Sequence, residues 1–444
     1  MEAFLKYVKD ISKSKSLKKK IMITLMLLLL YRLLVILPVP FVNISSLMEL
    51  LNSAKDSGGI EYLTMLMGGT LERFSIIAVG LVPFINASII MQLLTAVLPQ
   101  LEELQEQGES GNMKIQQYTR WLTVPFALLQ SVGMVYLINS LYQSASGPLI
   151  DIASSKLILL GAAFVLTVGT VILMYIGELI TEKGISNGIS LIIFSSIVSG
   201  ITSKLFTGFT GSNSLLALLV FMTVVVLFLV ILSVLLIRTR KEIPIVYSRQ
   251  GKIEETATLP IPLNPVGMIP IIFAMAFTSF PYLLSQVINK MQVQPWLASV
   301  GTYVETNFNI YSSQPSMITV FVYFLFIVMF TFFYTLIVFN PEKIADNIQK
   351  RGGFVPGIRP GEETAKYLNK ILMHLCLWGG MGLGFIGIYS YILSYLPFMQ
   401  TIASTLGSIP VLVSGSGVII VVGVVQDLIQ KIDAELLMER YERV

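Results

Sequence analysis

Ten runs of mainly apolar residues recur along the chain, near 21–38, 75–98, 121–138, 157–177, 188–204, 215–237, 266–288, 316–339, 371–396 and 409–429. About 20 residues of helix cross a hydrocarbon core of ~30 Å, so each run predicts a membrane span. Ten spans leave both termini on one side. Lys13, Lys15, Lys18, Lys19 and Lys20 precede the first run as in a signal peptide. Arg32 interrupts that run, however, and no small-residue cleavage site follows, so the first span is expected to be retained.

Composition agrees with this pattern. Of 444 residues, 54% are apolar and 13% charged, too little charge to cover the surface of a water-soluble globule. One cysteine, Cys376, excludes an intrachain disulfide, and one histidine, His374, excludes a two-histidine metal site. No metal or cofactor is expected. The net charge of +4 is too small to suggest nucleic-acid binding. Its placement is more informative: 24 of the 30 Lys and Arg fall on the segments that share a side with the N-terminus, and five on the other side. The positive-inside rule then puts both termini in the cytoplasm.

Two cytoplasmic loops are long, 238–265 and 340–370, and suggest a docking surface. In the second, Asn340 is placed to cap a helix with Pro341 at its first position, ending after Lys350 and Arg351 at Gly352-Gly353. Phe354-Val-Pro-Gly-Ile-Arg-Pro-Gly361 follows, in which the prolines stiffen the backbone and hold Arg359 extended at a loop tip. On these grounds Arg359 is either a solvated loop residue or a partner contact. On the outer side, Ile60 to Met67 lies between Gly58-Gly59 and Gly68-Gly69. Eight residues of helix rise only ~12 Å, too few to span, so this is a buried re-entrant loop or a hinged moving part.

Ionisable groups inside the runs are scarce. Arg32 stands alone, with Glu178 and Asp427 at cytoplasmic ends, so the midplane acidic or histidine cluster of a proton-coupled transporter is missing. Ser414-Gly-Ser-Gly417 has no glycine two before Ser416, so an intramembrane serine protease is not supported. No Gly-x-x-x-x-Gly-Lys-Ser/Thr phosphate loop is present, so energy is expected from a partner.

Several stretches together carry a family resemblance: Val35-Ile-Leu-Pro-Val-Pro40, Gly80-Leu-Val-Pro-Phe-Ile-Asn-Ala-Ser-Ile-Ile-Met-Gln-Leu-Leu94, Gly108-Glu-Ser-Gly111 with Gln117-Tyr-Thr-Arg120, and Ile180-Thr-Glu-Lys-Gly-Ile-Ser-Asn-Gly-Ile-Ser190. Gly267-Met-Ile-Pro-Ile-Ile-Phe-Ala274, Phe332-Phe-Tyr-Thr335, Phe339-Asn-Pro341 and the stretch from Phe354 to Lys366 continue it. Over nearly its whole length the chain resembles SecY, the pore-subunit family of the bacterial protein-translocation channel.

The resemblance implies an all-α multi-pass fold of ten transmembrane helices in two pseudo-symmetric, inverted five-helix halves around an hourglass pore. Residues 1–20 form a cytoplasmic segment, 21–204 and 215–429 the two halves, 205–214 the hinge and 430–444 a cytoplasmic tail. It implies a pore ring at Ile85, Ile89, Ile189, Ile193, Ile272 and Ile420. It implies a plug over 58–69, with Tyr62, Leu63, Leu66, Gly68 and Gly69, and a lateral gate with Ser88, Gln92 and Thr95 facing Thr278 and Ser279. Arg359, Arg240, Lys241, Arg249, Lys350 and Arg351 are implied docking residues. The implied partners are SecE-like and SecG-like membrane subunits, the SecA motor ATPase, the ribosome, signal peptides with unfolded polypeptide, and the lipid bilayer. The implied activity is non-enzymatic: moving unfolded secretory proteins across the bacterial cytoplasmic (inner) membrane and releasing membrane helices sideways. Where relatives commonly carry two basic residues after Gly-Glu-Ser-Gly, this chain has Asn112-Met113, and the basic residues of loop 238–265 are opposed by Glu242, Glu254 and Glu255. An accessory channel of the same type, for few substrates, is therefore the alternative within the family, and a secondary transporter the alternative outside it.

Overall fold

Ten helices correspond one for one to the ten apolar runs. The computed structural model describes residues 14–40, 42, 74–141, 150, 156–208, 215–249, 252–290, 295–309, 315–395 and 415–442. The plug segment 58–69 lies outside them, as do 1–13, the hinge residues 209–214 and the last two residues of the tail. The long helices are α1 (Lys15–Ile36), α2 (Val82–Val97), α4 (Glu109–Leu141), α5 (Lys156–Lys183), α6 (Gly188–Gly208), α7 (Leu215–Arg238), α8 (Ile269–Lys290), α10 (Met317–Val338), α12 (Glu362–Ser394) and α13 (Gly415–Glu442). Shorter helices are α3 (Pro99–Glu106), α9 (Pro295–Asn307) and α11 (Pro341–Lys350). Strands β1 (Arg240–Arg249), β2 (Lys252–Pro262) and β3 (Gly353–Phe354) form one sheet in the order β2-β1-β3.

Local chemistry sets the ends. α2 starts at Val82, seven residues later than the hydrophobic run predicts, because 74–81 are turns with Phe74 at φ 39° and Gly80 at φ 67°, and Pro83 supplies no N–H in the first turn. α2 then bends by 98° into α3, where Pro99 opens the new helix. α4 and α12 begin well before their apolar runs, at Glu109 and Glu362, and α4, α5, α10, α12 and α13 are each long and apolar enough to cross a membrane.

The helices fall into two groups. α1, α2, α4, α5 and α6 pack among themselves, as do α7, α8, α10, α12 and α13. The groups meet along two seams: α8 against α2 and α4, and α6 against α13. Lipid gives helices no hydrophobic reason to associate, so close approach and dispersion hold them together. A Cβ at Gly169 would stand 1.9 Å from the Ile76 carbonyl oxygen, and one at Gly415 would stand 1.9 Å from that of Ile386, so any larger residue at these crossings forces backbones apart. The Lys20–Glu435 ion pair joins the start of α1 to the end of α13, which places both ends of the bundle on one side.

The two long loops are not loose. β1 and β2 form a hairpin with a bulge at Tyr247/Ser248, and β3, from the other loop, adds to β1 through Val246–Phe354 and Tyr247–Gly353. Ile243, Ile261, Ala345, Val355, Ala365, Leu368 and Leu372 make a second core, separate from that of the bundle.

Candidate functional site: a cavity between the helix groups

A cavity of about 140 Å³ lies between the two groups. α2 contributes Ile85, α6 Ile193, α8 Ile272 and α13 Ile420, so helices of both groups and of both seams meet around it. The lining is predominantly apolar; its hydroxyls come from Tyr31, Ser196, Ser279, Tyr391 and Ser416. Such a chamber holds water and ions poorly.

The other two isoleucines of the expected ring, Ile89 and Ile189, are not part of the lining. Ile89 is 1% exposed in the bundle core, and Ile189 packs against Gly177 of α5. Four helical residues advance ~6 Å, so each sits one turn from Ile85 or Ile193. α2 and α6 run in opposite directions, and both displacements point towards the side that carries the loops. The two isoleucines therefore lie beneath the cavity on that side, and none of the six faces the outside of the bundle.

At the α2–α8 seam the expected polar residues bond within their own helices. Gln92 Nε2 donates to Ser88 Oγ at 3.0 Å, Thr95 to the Met91 carbonyl at 2.8 Å, Thr278 to the Ala274 carbonyl at 2.7 Å and Ser279 to the Ala276 carbonyl at 2.9 Å. A polar latch across the seam is thus not formed here, because Ser and Thr in helices bond backward to a carbonyl one turn earlier with little ordering cost. Beside this seam Phe126 of α4 meets Phe280 of α8 edge to face at 5.5 Å. Gln92 Oε1 and both amide atoms of Gln130 are buried without a partner.

On the loop side, Asn340 caps α11 by accepting from the N–H groups of Glu342 and Lys343, and Gly352 follows the helix at φ 71°. Ile358 packs into the second core, and Gly357 (φ 82°) and Gly361 (φ 95°) bracket Arg359. Its carbonyl accepts from Thr364 Oγ1 at 2.9 Å while its guanidinium is exposed. Arg240, Lys241, Lys350 and Arg351 are also exposed, and Lys350 pairs with Asp346 one turn earlier at 2.6 Å; Arg249 closes β1 opposite Lys252. At the start of α12, the hydrogen bond and charge of Lys366 hold the Glu362 carboxyl below its ordinary range, and Glu362 in turn raises the Lys366 ammonium.

Reading the sequence alone missed Tyr31, Ser196 and Met275 as lining residues. The signal for the first was present: Tyr31-Arg32 is a polar pair inside an apolar run.

These features define a polytopic helical membrane protein with an apolar central chamber and a structured platform on one face. The family model for SecY matches residues 75–429, and the chain belongs to the SecY family, whose members are protein-translocation channel subunits. It is 36% identical to the protein translocase subunit SecY of Buchnera aphidicola over 439 residues, covering 97% of this chain and 95% of that one. Its fold matches a solved protein-conducting channel with a TM-score of 0.61 at 19% identity, covering 96% of this chain and 93% of that one. It likewise matches Sec61 from a canine ribosome–channel complex of the endoplasmic reticulum, with a TM-score of 0.58 at 18% identity over 96% and 93%.

Proposed function

We propose that this chain is the central pore subunit of a bacterial Sec translocase, moving unfolded secretory proteins across the cytoplasmic membrane and releasing hydrophobic helices sideways between α2 and α8. The observation that carries this reading is the chamber itself, where Ile85, Ile193, Ile272 and Ile420 converge from four helices between two seams. Ile89 and Ile189 extend this constriction by a turn, and an apolar collar of this kind offers a passing chain no strong binding site. Residues 58–69 serve as the plug. Hydrophobic signal helices compete for the α2–α8 seam by partitioning, which is inexpensive where the seam's hydroxyls are already satisfied within their helices.

Both termini and the platform of β1–β3 and α11 face the cytoplasm. That face docks a SecA-like motor or a ribosome, with Arg359 as the main coupling residue. SecE-like and SecG-like subunits brace the two helix groups. The test is site-specific crosslinking in membrane vesicles, with a photoprobe replacing Ile85 or Ile272 and a secretory precursor stalled in transit. A crosslink that requires the motor and ATP is expected. No crosslink, in vesicles where a standard translocase gives one, overturns the reading.

A further inference from the structure

Arg32 is a guanidinium within an apolar run, and a charge there is costly unless it is paired. Here it donates through Nη2 to the Ser195 carbonyl and, at 3.1 Å, to Ser195 Oγ, both on α6. It also stands 5.2 Å from the centre of the Tyr31 ring. Tyr31 is 2% exposed, lines the chamber, and its hydroxyl lies 2.6 Å from Ser196 Oγ. Ser196 Oγ also lies 3.0 Å from the Ile192 carbonyl, and with its proton donated there Tyr31 donates to Ser196, which relays the contact to the α6 backbone. Two adjacent residues of α1 thus grip two adjacent residues of α6, one turn beyond Ile192 and Ile193 of the chamber wall.

We propose that Tyr31 and Arg32 form an intramembrane latch that clamps α1 to α6 and holds the α6 wall of the chamber in its resting position. They are positioning residues: they act on the pore through Ser195, Ser196 and the isoleucines that α6 carries. The inference rests on the channel reading above. Widening the chamber for a polypeptide requires its walls to move apart. If the α6 wall moves relative to α1, these bonds must stretch or exchange, so they bias the equilibrium towards the narrow state. The latch is also economical, because the guanidinium needs these acceptors to be tolerated in lipid at all.

The test uses the full chain, with its companion membrane subunits, in proteoliposomes. Wild-type vesicles should import a precursor in the presence of motor and ATP; if they do not, the channel reading fails and the latch falls with it. Given import by wild type, Arg32→Leu is expected to raise resting chloride leak about tenfold or more, a factor that corresponds to ~1.4 kcal/mol. It should also admit a precursor whose signal sequence lacks its hydrophobic core. Arg32→Lys, which keeps the charge and loses the planar fork, should fall between. Should Arg32→Leu fail to accumulate, Tyr31→Phe carries the test, since it keeps the ring and removes one hydroxyl, and a leak a few-fold above wild type is expected. A merely structural role would lower the amount or melting temperature of the protein without moving leak or signal selectivity. Wild-type leak and selectivity in the variants that accumulate overturn the proposal.

Discussion

At Arg359 the backbone determines what the side chain can do. Gly357 and Gly361 adopt positive φ on either side, Ile358 is anchored in the second core, and the guanidinium is left at the surface. A residue held this way presents its charge to a partner with little backbone entropy left to lose on binding. Arg359→Glu is therefore expected to reduce motor-driven precursor export by tenfold or more while leaving the melting temperature of the detergent-solubilised protein within about 2 °C, since an exposed charge contributes little to stability. Normal export by that variant would refute the coupling role. The motif around Arg359 was legible in the sequence because prolines and glycines dictate backbone direction locally. What ties it down was not legible: Ile358 packs into a core that also draws Ile243 and Ile261 from a loop about 100 residues away, an assembly that no local pattern announces.

The platform shows the same limit at the scale of elements. β1 carries an alternation that could have been read, with Ile243 and Ile245 buried and Pro244 exposed between them, and Gly251 lies between the strands as a turn signal. It is masked by the prolines. Pro244 cannot donate to a ladder and argues against a central strand, yet it is tolerated because β3 pairs only with Val246 and Tyr247, leaving β1 single-sided at Pro244. The membrane helices, by contrast, were legible to within a few residues wherever lipid alone sets the boundary. They were misjudged where polar helix continues past the apolar run, at Glu109, Glu362 and Glu442, or where turns delay the start, at Val82. Because Ile261 is fully buried between the sheet and the helices, Ile261→Ala is expected to destabilise the platform by about 2–5 kcal/mol. The bundle should be unaffected, since the two cores are separate. Limited proteolysis checks this: cleavage within 238–265 should accelerate while the membrane-embedded fragments stay resistant. Unchanged cleavage would mean that the hairpin is not held by this core.

Among the described residues the two helix groups meet along two seams, and their chemistry differs in a way that predicts which one yields. On the α6–α13 side, Ser186 donates to Asp427 at 2.6 Å, Asp427 is approached by Lys431 at 3.5 Å, and the Lys20–Glu435 pair links α1 to α13 nearby. Directional, partly charged bonds of this kind must be broken for the helices to part. On the α2–α8 side, the hydroxyls of Thr95, Thr278 and Ser279 are bonded within their own helices, and Phe126–Phe280 is an edge-to-face contact. Aromatic pairs are worth about 0.5–1.5 kcal/mol beyond burial, and acyl chains can replace much of what they lose. Lateral opening is therefore expected at α2–α8, with the other seam as the back of the clamp. In a Cys376→Ser background, a short bifunctional thiol reagent joining Phe126→Cys to Phe280→Cys should block precursor export almost completely, and reduction of a cleavable version should restore it. The same reagent joining Ser186→Cys to Asp427→Cys should leave export at the level of the unlinked double variant. Block by the second link and not by the first would reverse the assignment and place lateral opening at the α6–α13 seam.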